Sequence, residues 1–136
     1  SKSCRVKPES FLELSKRAYL AEQYSMAIWS GREGIASSEK NIKIYHELNY
    51  YLGISLLAKN RRADAIVILK EIVFDANWEK LDAMQVQKAH LALIDAYSKP
   101  DKKNDHNVKY LIQLFKNRYS TSDYLFTLRS WNANRE

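Results

Sequence analysis

Apolar residues recur every three or four positions along most of the chain, while the apolar-polar alternation of a half-buried strand is nearly absent. Pro8 stands where a first helical turn tolerates a missing N–H, and Phe11, Leu14, Ala18 and Leu20 follow at the spacing of one helix face. The pattern predicts a first helix over about Glu9 to Gln23. A second opens near Tyr24 and carries Ala27, Ile28, Trp29, Gly31 and Ile35 inward, until Ser37, Ser38 and Asn41 supply a stop and a new N-cap. A third, about Asn41 to Lys59, turns Tyr45, Leu48, Leu52, Gly53 and Leu56 inward and breaks at the polar run Lys59, Asn60, Arg61, Arg62.

Ala65, Ile66, Leu69, Ile72 and Val73 mark a fourth helix. A fifth runs from about Trp78 or Leu81 to Ser98, closed by Pro100, which disfavours helix in the residue before it. After the polar segment Lys99 to Asn107, a sixth spans about Asn107 to Arg118 with Val108, Leu111, Ile112 and Phe115 inward. The seventh begins near Thr121 or Ser122 and carries Tyr124, Leu125, Leu128 and Trp131. Short links force consecutive helices to lie antiparallel. The expected fold is therefore all-α, a stack of three helical hairpins (about 9–38, 41–75 and 78–118) with a capping helix at about 122–132, preceded by a flexible basic tail over 1–8.

Composition supports this picture. Three glycines and two prolines among 136 residues leave little material for the turns of a β-sandwich, and 46% apolar residues suit a single domain with one core. The longest apolar run, Ala65 to Leu69, is far short of the roughly 20 residues of a membrane-spanning helix. Cys4 is the single cysteine, so no internal disulfide forms, and an ordinary unpaired thiol is expected there. The net charge of +6 is concentrated: Lys2, Arg5 and Lys7 lie in the tail, and Lys99, Lys102, Lys103, Lys109, Lys116 and Arg118 face only Asp101 and Asp105 between residues 99 and 118. The remaining stretches nearly cancel.

Small residues fall where hairpins must cross closely. Leu14, Tyr24, Ala27, Gly31 and Gly34 in the first unit, and Leu52, Gly53, Ala65, Leu69 and Ile72 in the second, match the size pattern of the tetratricopeptide repeat. The stretch Ala63-Asp64-Ala65-Ile66 resembles that family's opening of a second helix. The third unit keeps only the sizes, in Leu93, Tyr97, Val108, Ile112 and Phe115. Its ending, residues 115–124, is similar to the aromatic, basic close of repeat proteins in bacterial envelope assemblies, with Ser120 replacing proline. Unit spacings of 38 (Ala27 to Ala65) and 43 (Ala65 to Val108) exceed the usual length of about 34, as longer turns would cause.

The resemblance implies a right-handed superhelix whose first helices line a concave groove. The groove positions it implies are Glu9, Leu12, Lys16, Tyr19 and Leu20, then Glu47, Tyr50, Ile54 and Leu57, then Lys88, Leu91, Asp95 and Ser98. The function it implies is non-catalytic: holding a peptide or segment of another protein, with a cell-envelope setting favoured by the ending. Ile54 and Asp95 replace residues that the tail-carboxylate clamps of this family need, so no such clamp is expected. The alternative is an anionic surface or nucleic acid on the basic 99–118 region, though the aromatics that single-strand binders interleave with such cations are missing from its basic loop. His46, His90 and His106 have no second His or Cys at ligand spacing, so neither a metal nor another cofactor is expected. Asp101, Lys103 and Asp105 lack the glycine and the closing acid of a calcium loop. Trp131, after Tyr124 and Phe126, is expected to cap the stack or to mediate self-association.

Overall fold

A computed structural model describes residues 6–38, 42–98 and 104–135. Among these residues the chain forms seven α-helices and no strand: α1 (Pro8–Leu20), α2 (Tyr24–Ser37), α3 (Ile42–Ala58), α4 (Arg62–Val73), α5 (Ala83–Ser98), α6 (Asp105–Arg118) and α7 (Tyr124–Arg135), with a 3-10 turn at Trp78–Lys80 before α5. Residues 1–5, with Cys4, and residues 99–103 lie outside the described residues. From α1 through α5 each helix packs against the next, and α1 packs on α3 and α3 on α5. Helices α1, α3 and α5 therefore lie side by side in one layer, with α2 and α4 behind them.

Two turns are built alike. After α1 the Gln23 N–H donates to the Ala18 carbonyl (2.8 Å) and the Glu22 N–H to Tyr19 (3.0 Å), with Glu22 at φ 59°. After α3 the Arg61 N–H donates to Leu56 (2.9 Å) and the Asn60 N–H to Leu57 (2.9 Å), with Asn60 at φ 62°. This is the Schellman arrangement, which satisfies two orphan carbonyls and reverses the chain with one left-handed residue. Asparagine tolerates that conformation; glutamate does so at some cost. The next helices open at Tyr24 and Arg62, 38 residues apart, so the repeat is present in backbone geometry as well as in side-chain size.

Close crossings hold the layers together. A Cβ placed on Gly34 would stand 2.6 Å from Leu48 Cδ2 and 2.9 Å from Phe11 Cβ, and one on Gly53 would stand 2.7 Å from Leu69 Cδ2. Gly31 is less tight, its Cβ meeting Leu52 Cβ at 3.3 Å. Where α1 meets α2, the buried Ser15 hydroxyl donates to the Ala27 carbonyl (3.0 Å), satisfying a polar group that the crossing removes from water. Behind these contacts Leu52, Leu56, Leu69, Ile72, Leu93 and Phe115 form a continuous core that also takes in Leu128 of α7.

Three inward assignments are corrected. Leu14 (39% exposed), Leu20 (78%) and Trp29 (51%) face outward. The buried stripe of α1 is centred on Ser15 and Ala18, because the close approach of α2 selects the smallest residues and turns the larger Leu14 away from the crossing. Trp29 packs edge-on against Phe11 (5.9 Å) at the outside of α2. Among the described residues no helix is long and apolar enough to cross a membrane.

Gly34→Ala is expected to destabilise the fold by about 1–3 kcal/mol, since overpacking a close crossing outweighs the helix-propensity gain of about 1 kcal/mol. Gly31→Ala is expected to cost distinctly less. Urea unfolding of the two variants checks this, and the reverse order contradicts the close-crossing account.

Candidate functional site

Helices α1 and α3 carry a connected row of tyrosines, continued by Tyr24 at the start of α2. Tyr19 meets Tyr24 at 5.7 Å and Tyr51 at 6.2 Å, and Tyr51 meets Tyr50 at 5.2 Å, all ring-centroid distances in tilted or edge-on geometry. The Lys16 ammonium lies 6.0 Å from the centre of the Tyr51 ring. Burial pushes the Tyr50 phenol up to about 12, with Tyr51, Tyr19 and Tyr124 of α7 adding to the shift. The Tyr19 and Tyr51 phenols are also raised, chiefly by burial and, for Tyr51, next by the carboxylates of Glu47 and Glu13. These rings thus remain neutral near pH 7, offering apolar faces and hydroxyl donors together.

Most of the implied groove residues are neither core nor fully exposed. Leu12, Lys16, Tyr19, Glu47, Tyr50, Ile54, Leu57 and Leu91 are half-buried, while Glu9, Leu20, Lys88 and Asp95 are exposed. Ser98 is buried and its hydroxyl donates to the Asp95 carbonyl (2.8 Å), so it faces inward. Tyr51 and Tyr24 were missing from the groove positions that the repeat pattern implies. Tyr51 lies one turn beyond Glu47, so the spacing of Glu47, Tyr51 and Ile54 along one helix face was the signal that includes it.

Where α3 and α5 diverge at their N-terminal ends, a cleft of about 550 Å³ opens, lined by Lys43, His46, Glu47, Leu81, Asp82 and Gln85 among others. The buried His46 places Nε2 3.1 Å from Asp75 Oδ2, joining α3 to the connection between α4 and α5. Asp75 also accepts the Asn77 N–H (2.7 Å), and Asp82 caps α5 by accepting the Gln85 N–H (2.9 Å).

The basic region has a different character from the sequence expectation. Arg118 donates from one guanidinium nitrogen to the Val73 carbonyl (2.6 Å), and the same nitrogen lies 3.1 Å from His90 Nε2. Its guanidinium sits 4.3 Å from the centre of the Trp78 ring. His90, Phe115, Trp78 and Tyr119 close around it with edge-on and tilted ring contacts of 5.2–6.0 Å. Arg118 is thereby engaged within the fold and closes the third hairpin. Lys109 and Lys116 are exposed on α6; Lys99, Lys102 and Lys103 lie outside the described residues. Tyr110, 59% exposed, stacks on Phe74 (6.5 Å) beside Lys109. The Trp131 side chain lies outside the described residues as well, and Phe126 on α7 is 75% exposed.

Among the described residues no group of three or more His, Cys, Asp or Glu side chains could hold a metal ion. Compared with protein-family models, curated proteins and solved structures, the chain matches none. The likeness to the tetratricopeptide repeat therefore rests on the residues and turns themselves.

His90 sets an acid limit on the fold. Burial, and next the Arg118 charge, lower its imidazole from the ordinary 6.5 to about 3. With Arg118 donating to Nε2, the neutral ring carries its proton on Nδ1. Between those two values the unfolded chain binds a proton that the folded one refuses, so stability present above about pH 6.5 falls as the pH drops toward 3, by roughly 1.4 kcal/mol per pH unit. His90→Leu is expected to flatten that part of the profile, measured as urea midpoints from pH 7 to pH 4. A variant slope equal to the parent's would mean that His90 is not the group responsible.

Proposed function

We propose that this chain is a non-catalytic protein-interaction module of the tetratricopeptide type, holding a segment of another protein along α1, α3 and α5. The observation that carries this reading is the continuous row of half-buried side chains, Leu12, Tyr19, Tyr51, Tyr50, Ile54 and Leu57, on a layer whose other side is fully committed to the core. Rigid aromatic and aliphatic groups in that state contribute large contact area at little entropic cost, and they suit a helix or an extended segment with aliphatic anchors. Lys16, Asp95 and Lys88 give the row a charged margin. The ending over 115–124 favours a cell-envelope assembly as the setting.

The basic region supports nucleic acid less well, because Arg118 is engaged by Val73, His90 and Trp78. A steep loss of RNA affinity with rising salt, reduced by Lys109→Glu or Lys116→Glu, would favour that alternative.

Leu12→Glu and Ile54→Glu place unpaired charges in the row without touching the core. Together they are expected to reduce capture of the partner about tenfold or more, as loss of central apolar anchors does, with the unfolding midpoint little changed. Lys109→Glu with Lys116→Glu on α6 is expected to leave capture unchanged. Quantitative affinity capture from lysate of the source cells compares the two pairs, and sensitivity of the α6 pair alone would move the binding surface off the groove.

A further inference from the structure

Glu47 stands at the junction of the tyrosine row and the cleft between α3 and α5. Tyr51 lies next to it on one side, and Leu81, Asp82 and Gln85 line the cleft on the other. The acidic groups around it are already engaged: Asp75 holds His46 and the Asn77 N–H, and Asp82 holds the Gln85 N–H. Among the described residues, Glu47 forms neither an ion pair nor a hydrogen bond, although Lys43 lies one turn before it.

The cleft also carries two lysines, so the sign of its ligand has to be argued. Lys43 and Lys80 are exposed and keep their hydration, and pairing such a group with an anion gains little. Glu47 is half-buried beside aromatic rings, where a carboxylate loses water contacts that only a donor or a cation restores. The Tyr51 ring already carries the Lys16 ammonium over its face, at 6.0 Å, so a further cation meets Glu47 from the cleft side. A guanidinium suits the Glu47 carboxylate better than an ammonium does, being planar, weakly hydrated and able to bond a carboxylate through two N–H groups.

Resting on the groove reading above, we infer that the cleft at Glu47 receives an arginine side chain of the bound segment, its guanidinium paired with the Glu47 carboxylate. The groove thus selects a segment that combines aliphatic anchors with one arginine, and Lys43 and Lys80 at the cleft mouth are free to meet that segment's carbonyl oxygens.

The test needs no knowledge of the partner. N-acetyl-L-arginine amide is titrated into the full chain, with amide shifts followed by NMR. Shifts are expected to gather at residues 43–54 and 81–85, and affinity is expected to exceed that for the uncharged citrulline analogue about fivefold or more. Glu47→Gln is expected to remove that difference while circular dichroism stays unchanged, and Glu33→Gln on α2 to preserve it. Equal binding of arginine and citrulline derivatives overturns the inference. So does equal or tighter binding of N-acetyl-L-lysine amide, which removes the guanidinium preference, or tighter binding of N-acetyl-L-glutamate amide, which assigns the cleft to Lys43 and Lys80. The titration can fail while the Leu12 and Ile54 variants still lose the partner, and the reverse outcome is equally possible, so the two readings stand or fall separately.

Discussion

The close crossing of α1, α2 and α3 is the constraint on which the rest of this structure depends. Helix axes approach this closely only where side chains are nearly absent, and Gly31, Gly34, Ser15 and Ala27 supply that absence at one meeting point. Gly53 repeats the device between α3 and α4. Because α2 and α4 each sit tightly behind their partners, α1 and α3 are left edge to edge in the other layer. A looser crossing would let the hairpins rotate, and the aromatic contacts from Tyr19 through Tyr51 to Tyr50 would lose their alignment.

The third hairpin reaches the same end by other means. No glycine marks its crossing, and α6 is tied to α4 and α5 by the Arg118 guanidinium, bonded to the Val73 carbonyl, facing His90 and stacked on Trp78. A cation fixed between a carbonyl, an imidazole and an indole is directional where a glycine contact is not. It also brings a vulnerability that glycine crossings lack: the imidazole must remain neutral. The glycine crossings contain no titratable group, whereas the Arg118 junction does.

Helix count, order and most core positions were legible in the sequence, since Leu48, Leu52, Leu69, Val108 and Phe115 follow a period of 3.6 residues that burial then obeys. The failures have a common cause. Leu14 and Leu20 satisfy the same period as Ser15 and Ala18, and hydrophobicity alone favours the leucines; only the distance to α2 decides for the small pair. The pairing of His46 with Asp75 and the docking of Arg118 on Val73 join residues 29 and 45 positions apart, and no local pattern announces such contacts. The repeat resemblance implied that α1, α3 and α5 lie side by side, as they do, but nothing in the sequence announced the mutual contact of Tyr19, Tyr51 and Tyr50.

Exposure of apolar groups does not by itself single out a binding face, because isolated surface hydrophobics are normal. Met26, Trp29, Val67, Phe74 and Tyr110 are all exposed on α2, α4 with its C-cap, and α6, and among them one ring contact, Phe74 with Tyr110, is formed. On the opposite layer the tyrosines form a chain of contacts, each ring restricting the next, with one phenol pushed up to about 12 by burial. A mutually restrained row has already lost the rotamer freedom that a partner would otherwise have to remove, so contact there costs less ordering. Preorganisation, more than apolarity, is what distinguishes the tyrosine row of α1 and α3 from the rest of the surface.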